Sequence, residues 1–382
     1  MSQVVFLPDD LIVEILSYLP VKPLVRSKSV CKSWNSLISD PKFGKLRLQR
    51  SKRNSHIAVI KYGSGYPNSF VSFPLNHLFE NPSITVTSNS YHQLKFNQPS
   101  PIIGSCNGLL CLLDHTTMSS VPKSWFRIWN PTTRIISVKF GSFNRPLNCS
   151  HNCTFGYDKS TRTYKVVVLF RKEVQIFSLG DNRRKSLSFP SSDPFFTFGS
   201  SHVNKGVYLS GTVNWYAIQS KFSQYYCQKD ITVGKFVIIS LDLGTETYKQ
   251  FQTLSGVDEV PDFELTIAVL MDCLCFSHNL KNTHFVIWQM MEFGVEQSWT
   301  QFLKISFQNL LGDDRFSDRI YCPYFMFPLW LSKNGDTLLL ANTIKDQAIL
   351  YNLRDNRAER TSVDGTAWKK AICYVQSKAS IC

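Results

Sequence analysis

Three short stretches carry residue types that could do chemistry. Residues 104–108, GSCNG, fit the spacing of a nucleophile elbow with Cys106 as the attacking thiol. Such an elbow needs a strand, a sharp turn and then a helix. The next residues are LLCLLD, another strand, so Asn107-Gly108 reads as a hairpin turn. Residues 149–153, CSHNC, place Cys149, His151 and Cys153 at alternating positions. Structural zinc takes four ligands, usually with wider spacing and paired C-x2-C units, and none of that is evident. Cys273 and Cys275 lie in an apolar run where alternation puts both on one strand face, the place of buried packing thiols. No phosphate loop, dinucleotide fingerprint or H-E-x-x-H motif occurs. The Trp and Tyr residues sit mostly within strand patterns and read as core. The residues therefore predict no catalytic group, no metal and no cofactor.

The elements that carry these residues belong to a folded chain. Of 382 residues, 43% are hydrophobic and 13% aromatic, enough for a sizeable core and unlike a disordered composition. The length suits a small module followed by one large β domain. Formal net charge is +14, which bears on non-specific association rather than on fold. The excess gathers at residues 42–53, KFGKLRLQRSKR, with six basic residues and no acid. A solvated helix end and linker is the plain reading of that stretch. A nuclear-import or nucleic-acid patch is the other. The 11 cysteines are odd in number, and MSQVVFLPDD lacks the basic and apolar regions of a signal peptide. No run approaches a membrane span. Free thiols in the cytoplasm or nucleus, with no membrane or nucleic-acid partner, are expected.

The first forty residues read as three short helices. Pro8 suits a helix start, and Asp9 and Asp10 place negative charge at the positive end of the dipole. Leu11, Ile12, Ile15, Leu16 and Leu19 then follow with helical period up to Pro20. Pro23 opens a second helix, and Val30, Trp34, Leu37 and Ile38 mark a third, closed by SDPKF. So small a piece is marginal alone, and its exposed apolar residues need a partner.

This stretch, LPDDLIVEILSYLPVKPLVRSKSVCKSWNSLISDPKF, resembles the F-box motif over its whole length. The Leu-Pro start, Ile15-Leu16, Leu19-Pro20, Leu24 and Val30-Cys31-Lys32-x-Trp34 carry the resemblance. SKS at 27–29 departs from the aromatic, basic residue and cysteine that plant members usually carry. F-boxes dock on a Skp-type adaptor, which tethers them to a cullin–RING ubiquitin ligase. The resemblance thus implies an adaptor face of Leu7, Pro8, Leu11, Ile15, Leu16, Leu19, Pro20, Leu24, Val30, Cys31 and Trp34.

Beyond residue 100, strand signals recur in pairs of hairpins. IIGSCNGLLCLLD precedes FRIWNPTTRIISV, and CTFGYDKSTRTYKVVVLF precedes VQIFSLGDNRRKSL. GVYLSGTVNWYAI precedes FVIISLDLGTETYKQF, LTIAVLMDCLCFS precedes HFVIWQMMEFGVEQSWTQF, and LWLSKNGDTLLLANT precedes AILYNLRDNRAERTSV. Four strands per roughly 50–60 residues describe the blades of a β-propeller near the kelch period. Five blades are readable. A sixth is predicted from SHIAVIKYG and SFVSFPL near the start with KKAICYVQS at the end, closing the ring and removing an edge. The region also resembles the plant F-box-associated domain through SCNGLLCL, WNPTTR, FGYDKSTRTYKVV, IFSLG, VNW and SWTQF, taken in order. GDNRRKSLSFP departs from it in lacking a tryptophan before Phe-Pro.

The expectation is a mainly β chain: a three-helix F-box at 1–45, a basic linker at 46–55, and a six-bladed, kelch-like propeller at 56–382. The resemblance implies a non-enzymatic target receptor of a Skp–cullin–F-box ligase, or an F-box adaptor working outside one. Variable recognition has to sit in connections, because strands are committed to the ring. The predicted target loop is QSKFSQYYCQKD, residues 219–230, with Lys221, Phe222, Tyr225, Tyr226 and Lys229.

Overall fold

The run TYKVVVLF at 163–170 shows how the body is built. Its β-branched residues favour a strand, but the apolar run is continuous rather than alternating, so both faces must be covered. In the computed structural model, Val166 and Val168 pack toward one neighbouring sheet and Val167 and Leu169 toward the other. The structure describes residues 7–19, 21–50, 55–61, 69–80, 83–84, 92–95, 101–116, 123–144, 152–170, 173–180, 184–188, 206–218, 232–254, 257, 259–261, 265–311, 326–342, 347–363 and 365–377.

Six sheets follow one another as blades of a propeller. Blade 1 joins Ser55–Lys61, Ser69–Pro74 and His92–Lys95 to Thr366–Val375. Blade 2 holds Ile102–Cys106, Leu109–His115, Lys123–Asn130, Ile135–Ile136 and Phe140–Asn144. Blade 3 holds Asn152–Asp158, Thr163–Leu169, Glu173–Ser178 and Arg184–Ser188. Blade 4 holds Val207–Leu209, Thr212–Ile218, Phe236–Asp242 and Tyr248–Gln252. Blade 5 holds Thr266–Leu270, Cys273–Leu280, His284–Met290 and Trp299–Ser306. Blade 6 holds Met326–Leu331, Thr337–Asn342, Gln347–Asn352 and Arg357–Val363, with Ser83–Ile84 added in parallel to its outer edge. All five blades legible in the sequence are present. So is the sixth, in which the chain's last described strand pairs with its first, Ser55 opposite Val375.

The innermost strands of successive blades touch in turn, and blade 6 returns to blade 1, so the ring is closed. The core is divided among six apolar clusters, one at each seam between neighbouring blades. Trp129, Trp368, Tyr351, Phe126, Phe276 and Phe285 are among the largest side chains fully enclosed there. At about 25 cal/mol per Å² of apolar surface, each such aromatic is worth several kcal/mol of burial.

The tight turns share one device. Asn130, Asp158, Asp242 and Asn352 end strands, and each Oδ1 accepts from backbone N–H groups two and three residues on. The residue four places on takes a left-handed conformation: Arg134, Arg162, Glu246 and Asn356. Short Asx side chains stabilise such turns locally. Asn107 and Gly108, both at positive φ, form the turn that occupies the suspected elbow, and Leu109–His115 is a strand. Cys106 is buried, and burial pushes its thiol up, away from the nucleophilic thiolate.

Ahead of the ring stand four helices: α1 (Asp9–Tyr18), α2 (Val21–Ser27), α3 (Lys32–Ser39) and α4 (Pro41–Arg50). The fourth corrects the expectation of three helices and a linker. SDPKF reads as a stop, yet it is a start. The Asp40 carboxylate accepts from the Lys42 N–H at 2.7 Å, and Pro41 fills the first position, where an N–H is dispensable. The basic stretch is correspondingly not all solvated. Arg47 is buried, and Arg50 pairs with Glu14 at 2.7 Å and lies over the Tyr18 ring.

Candidate docking faces

Two apolar stripes run along α1. At about 100° per residue, Ile12, Leu16 and Leu19 share one stripe and Leu11, Ile15 and Tyr18 the next, with Leu7 just ahead of the helix. The first packs with Val13, Leu24, Trp34, Leu37, Ile38 and Phe43 into a small core. The second faces outward: Leu11 is 49% and Ile15 53% exposed, and Leu7 and Tyr18 are exposed as well. Val25 on α2 and Val30 before α3 are exposed too, Val30 at 63%. Isolated exposed apolar residues are ordinary, but six on so small a unit are many.

The structure sorts the sequence-predicted adaptor residues into two groups. Leu7, Pro8, Leu11, Ile15, Val30 and Cys31 are exposed, and Leu19 and Trp34 are half-buried. Leu16 and Leu24 are 1% exposed, so they hold the helices together and present nothing to a partner. Pro20 lies outside the described residues. Cys31 is used locally, its sulfur accepting from the Trp34 N–H at the start of α3. Sequence reasoning passed over Tyr18 and Val25. Tyr18 falls seven residues after Leu11, the same face of a helix, so that spacing could have found it.

The propeller has two unlike faces. In blades 2 to 6, the first strand joins the second by a short hairpin on one face. On that same face Ser55 pairs with Val375, and Gly108 of blade 2 lies against Ser377. The helical unit therefore joins the ring on the hairpin face. The strands that bound the second-to-third connections and the inter-blade connections end and begin on the other face. Lys221, Phe222, Tyr225, Tyr226 and Lys229 lie outside the described residues, but the strands flanking them, Thr212–Ile218 and Phe236–Asp242, end on that second face.

One buried ionic cluster ties blades 3 and 4. The Lys165 ammonium donates to the Leu243 carbonyl at 2.7 Å and pairs with Asp158 at 2.9 Å and Glu246 at 3.2 Å. Glu246 also pairs with Lys185. Burial pushes the Asp158 carboxyl up, but hydrogen bonds from Ser160, Thr161 and Lys165 outweigh it and hold the group well below the usual carboxylate range. Every polar partner in it comes from the blades themselves, so it reads as a clamp between blades.

Chemistry-bearing groups are otherwise dispersed. The seven described cysteines are free; Cys106, Cys111, Cys153 and Cys275 are buried, and burial pushes Cys275 up to about 12. Cys153 sits in the seam of blades 2 and 3, and its sequence neighbours Cys149 and His151 lie outside the described residues. Among the described residues no three His, Cys, Asp or Glu side chains gather as a metal site, and no helix is long and apolar enough to cross a membrane.

A helical unit with an open apolar face, joined to a closed six-bladed ring, matches two family models in tandem. Residues 6–46 match the F-box domain, and residues 41–381 match the F-box associated beta propeller domain. The chain belongs to the F-box family with an F-box-associated propeller. It is 29% identical over 376 residues to an F-box/kelch-repeat protein of Arabidopsis thaliana, covering 92% of this chain and 89% of that one. It is 26% identical over 360 residues to the F-box protein CPR1 of the same plant, covering 87% and 79%. Among solved structures it is similar to TolB from Acinetobacter baumannii, with a TM-score of 0.47 and 10% identity over 84% of this chain and 66% of that one. The two family models overlap at residues 41–46, within α4, which is where the helical unit meets the ring.

Proposed function

We propose that this F-box protein is the target-recognition subunit of a Skp–cullin–F-box ubiquitin ligase and performs no bond chemistry itself. The observation that carries the reading is the exposure of Leu7, Leu11 and Ile15, with Val25 and Val30, on a unit too small to cover them. An α-helical adaptor of matching apolar surface completes that core, while the propeller face away from the hairpins is left for the target. Holding a target beside a ubiquitin-charged enzyme converts a bimolecular encounter into one of high effective concentration. The loop at 219–230, with Tyr225, Tyr226 and Phe222, supplies aromatic side chains of the kind that dominate binding energy.

The test is capture of purified Skp-type adaptor and cullin by the full chain. Adaptor and cullin retained together support the ligase reading. Adaptor retained without cullin supports an F-box adaptor working outside a ligase. Neither retained overturns both.

A further inference from the structure

The last two described residues, Gln376 and Ser377, follow the strand that closes the ring, and they touch three parts of the molecule. The Arg47 guanidinium of α4 donates to the Gln376 carbonyl at 3.4 Å and to the Leu19 carbonyl at the end of α1 at 3.3 Å. The Gln376 side chain meets His56 Nε2 on the first described strand of blade 1 at 3.0 Å. The Asn130 side-chain amide of blade 2 donates to the Ser377 carbonyl at 3.2 Å, and both Asn130 and Ser377 are buried. Gly108 closes the far side. A Cβ there would stand 2.5 Å from the Val375 carbonyl oxygen and closer still to Ser377.

We infer that this exit segment is the seat on which the helical unit is held at a fixed angle to the propeller, with Arg47 and Asn130 as its positioning residues. The planar fork of a guanidinium holds two carbonyls at a fixed spacing through two separate nitrogens, whereas an ammonium offers a single nitrogen on a flexible stem. Arg47 is 6% exposed, and the two carbonyls named accept on residues that are half-buried. The segment is in place only after the closing strand Thr366–Val375 has paired. The helical unit is therefore presented in its final orientation only by a closed ring. The seat stands on geometry alone; its value for aiming a bound target at a conjugating enzyme rests on the ligase reading.

The experiment uses the full chain with spin-labelled residues introduced at Ser36 on α3 and Lys304 on blade 5, both exposed. The parent chain is expected to give one narrow distance distribution by pulsed electron resonance. Asn130→Asp keeps the oxygen that caps its turn but replaces the N–H donor facing Ser377. Arg47→Lys keeps charge but loses the fork, and Arg47→Met loses both. All three are expected to widen the distribution at least twofold, the two Arg47 variants with the propeller's melting temperature unchanged. A distribution as narrow as the parent's in all three overturns the seat. So does widening that appears only together with a lowered melting temperature. Because no adaptor is present, failure of the ligase reading leaves this result untouched.

Discussion

Compare α1 with the strand Thr163–Leu169. Both are short and rich in aliphatic residues. In the strand, Val166, Val167 and Val168 are all fully buried, because a blade stands on each side. In α1, Leu11 and Ile15 remain about half exposed, because only three small helices are near. The difference is not in hydrophobicity but in whether the chain supplies both walls. A ring of blades covers the faces of its own strands, whereas a four-helix unit of about forty residues leaves one face open.

The sharpest way to break that comparison is to cut one group from each region. Trp129→Ala empties the seam between blades 1 and 2, where Trp129 is 1% exposed, and is expected to cost about 3–5 kcal/mol. Loss should be cooperative in thermal unfolding followed by near-ultraviolet circular dichroism. A loss confined to blades 1 and 2, with the rest of the ring intact, would argue against a mutually supported ring.

A smaller effect is expected at the clamp of blades 3 and 4. Asp158→Asn keeps the turn, as Asn130 and Asn352 already do, but leaves Lys165 without its nearest carboxylate. Breaking such a buried pair costs about 3 kcal/mol. The carboxyl is held below its unfolded value near 3.9, so the advantage of Asp over Asn is complete above about pH 5. It should shrink as the pH falls below about 4, since protonating the group removes the same charge. Melting temperatures of both proteins across that range check the sign, and a gap that grows with acid contradicts it.

Within the helical unit, Leu16→Ala is expected to cost about 2–3 kcal/mol, enough to loosen α1 without disturbing the blades. Two separated transitions in amide exchange would show it. Adaptor binding should fall through lost structure, not through a lost contact. The smallest effect on stability is expected at Tyr225→Ser with Tyr226→Ser: melting temperature and adaptor capture unchanged, target capture lost. A lowered melting temperature with capture retained would make that loop structural.

The five blades were legible in the sequence through period and turn chemistry. Paired hairpins with Asn-Gly, Gly-Thr and Asn-Gly-Asp turns set them out, and pairing the apolar segments at the two ends closes the ring. The fourth helix was not legible because Asp-Pro ends one helix and begins another, and the same two residues signal both. Nor could period alone separate Leu16 from Ile15. Adjacent residues on a helix with a broad apolar arc differ in which side the core lies, and that depends on α3 and α4. The burial of Arg47 was hidden for a similar reason: within a run of basic residues, only the position of Gln376, 329 residues away, tells which one turns inward.

The central claim is that the open stripe of α1 is a docking surface and not a defect of packing. Leu11→Asp with Ile15→Asp places charge on that stripe while leaving Ile12, Leu16 and Leu19 in the core. Calorimetric titration of purified Skp-type adaptor into the full chain measures the consequence. The account expects binding to weaken at least a hundredfold, about 2.7 kcal/mol, with the melting temperature of the free chain unchanged. Undiminished affinity in that double variant, at an unchanged melting temperature, would contradict it.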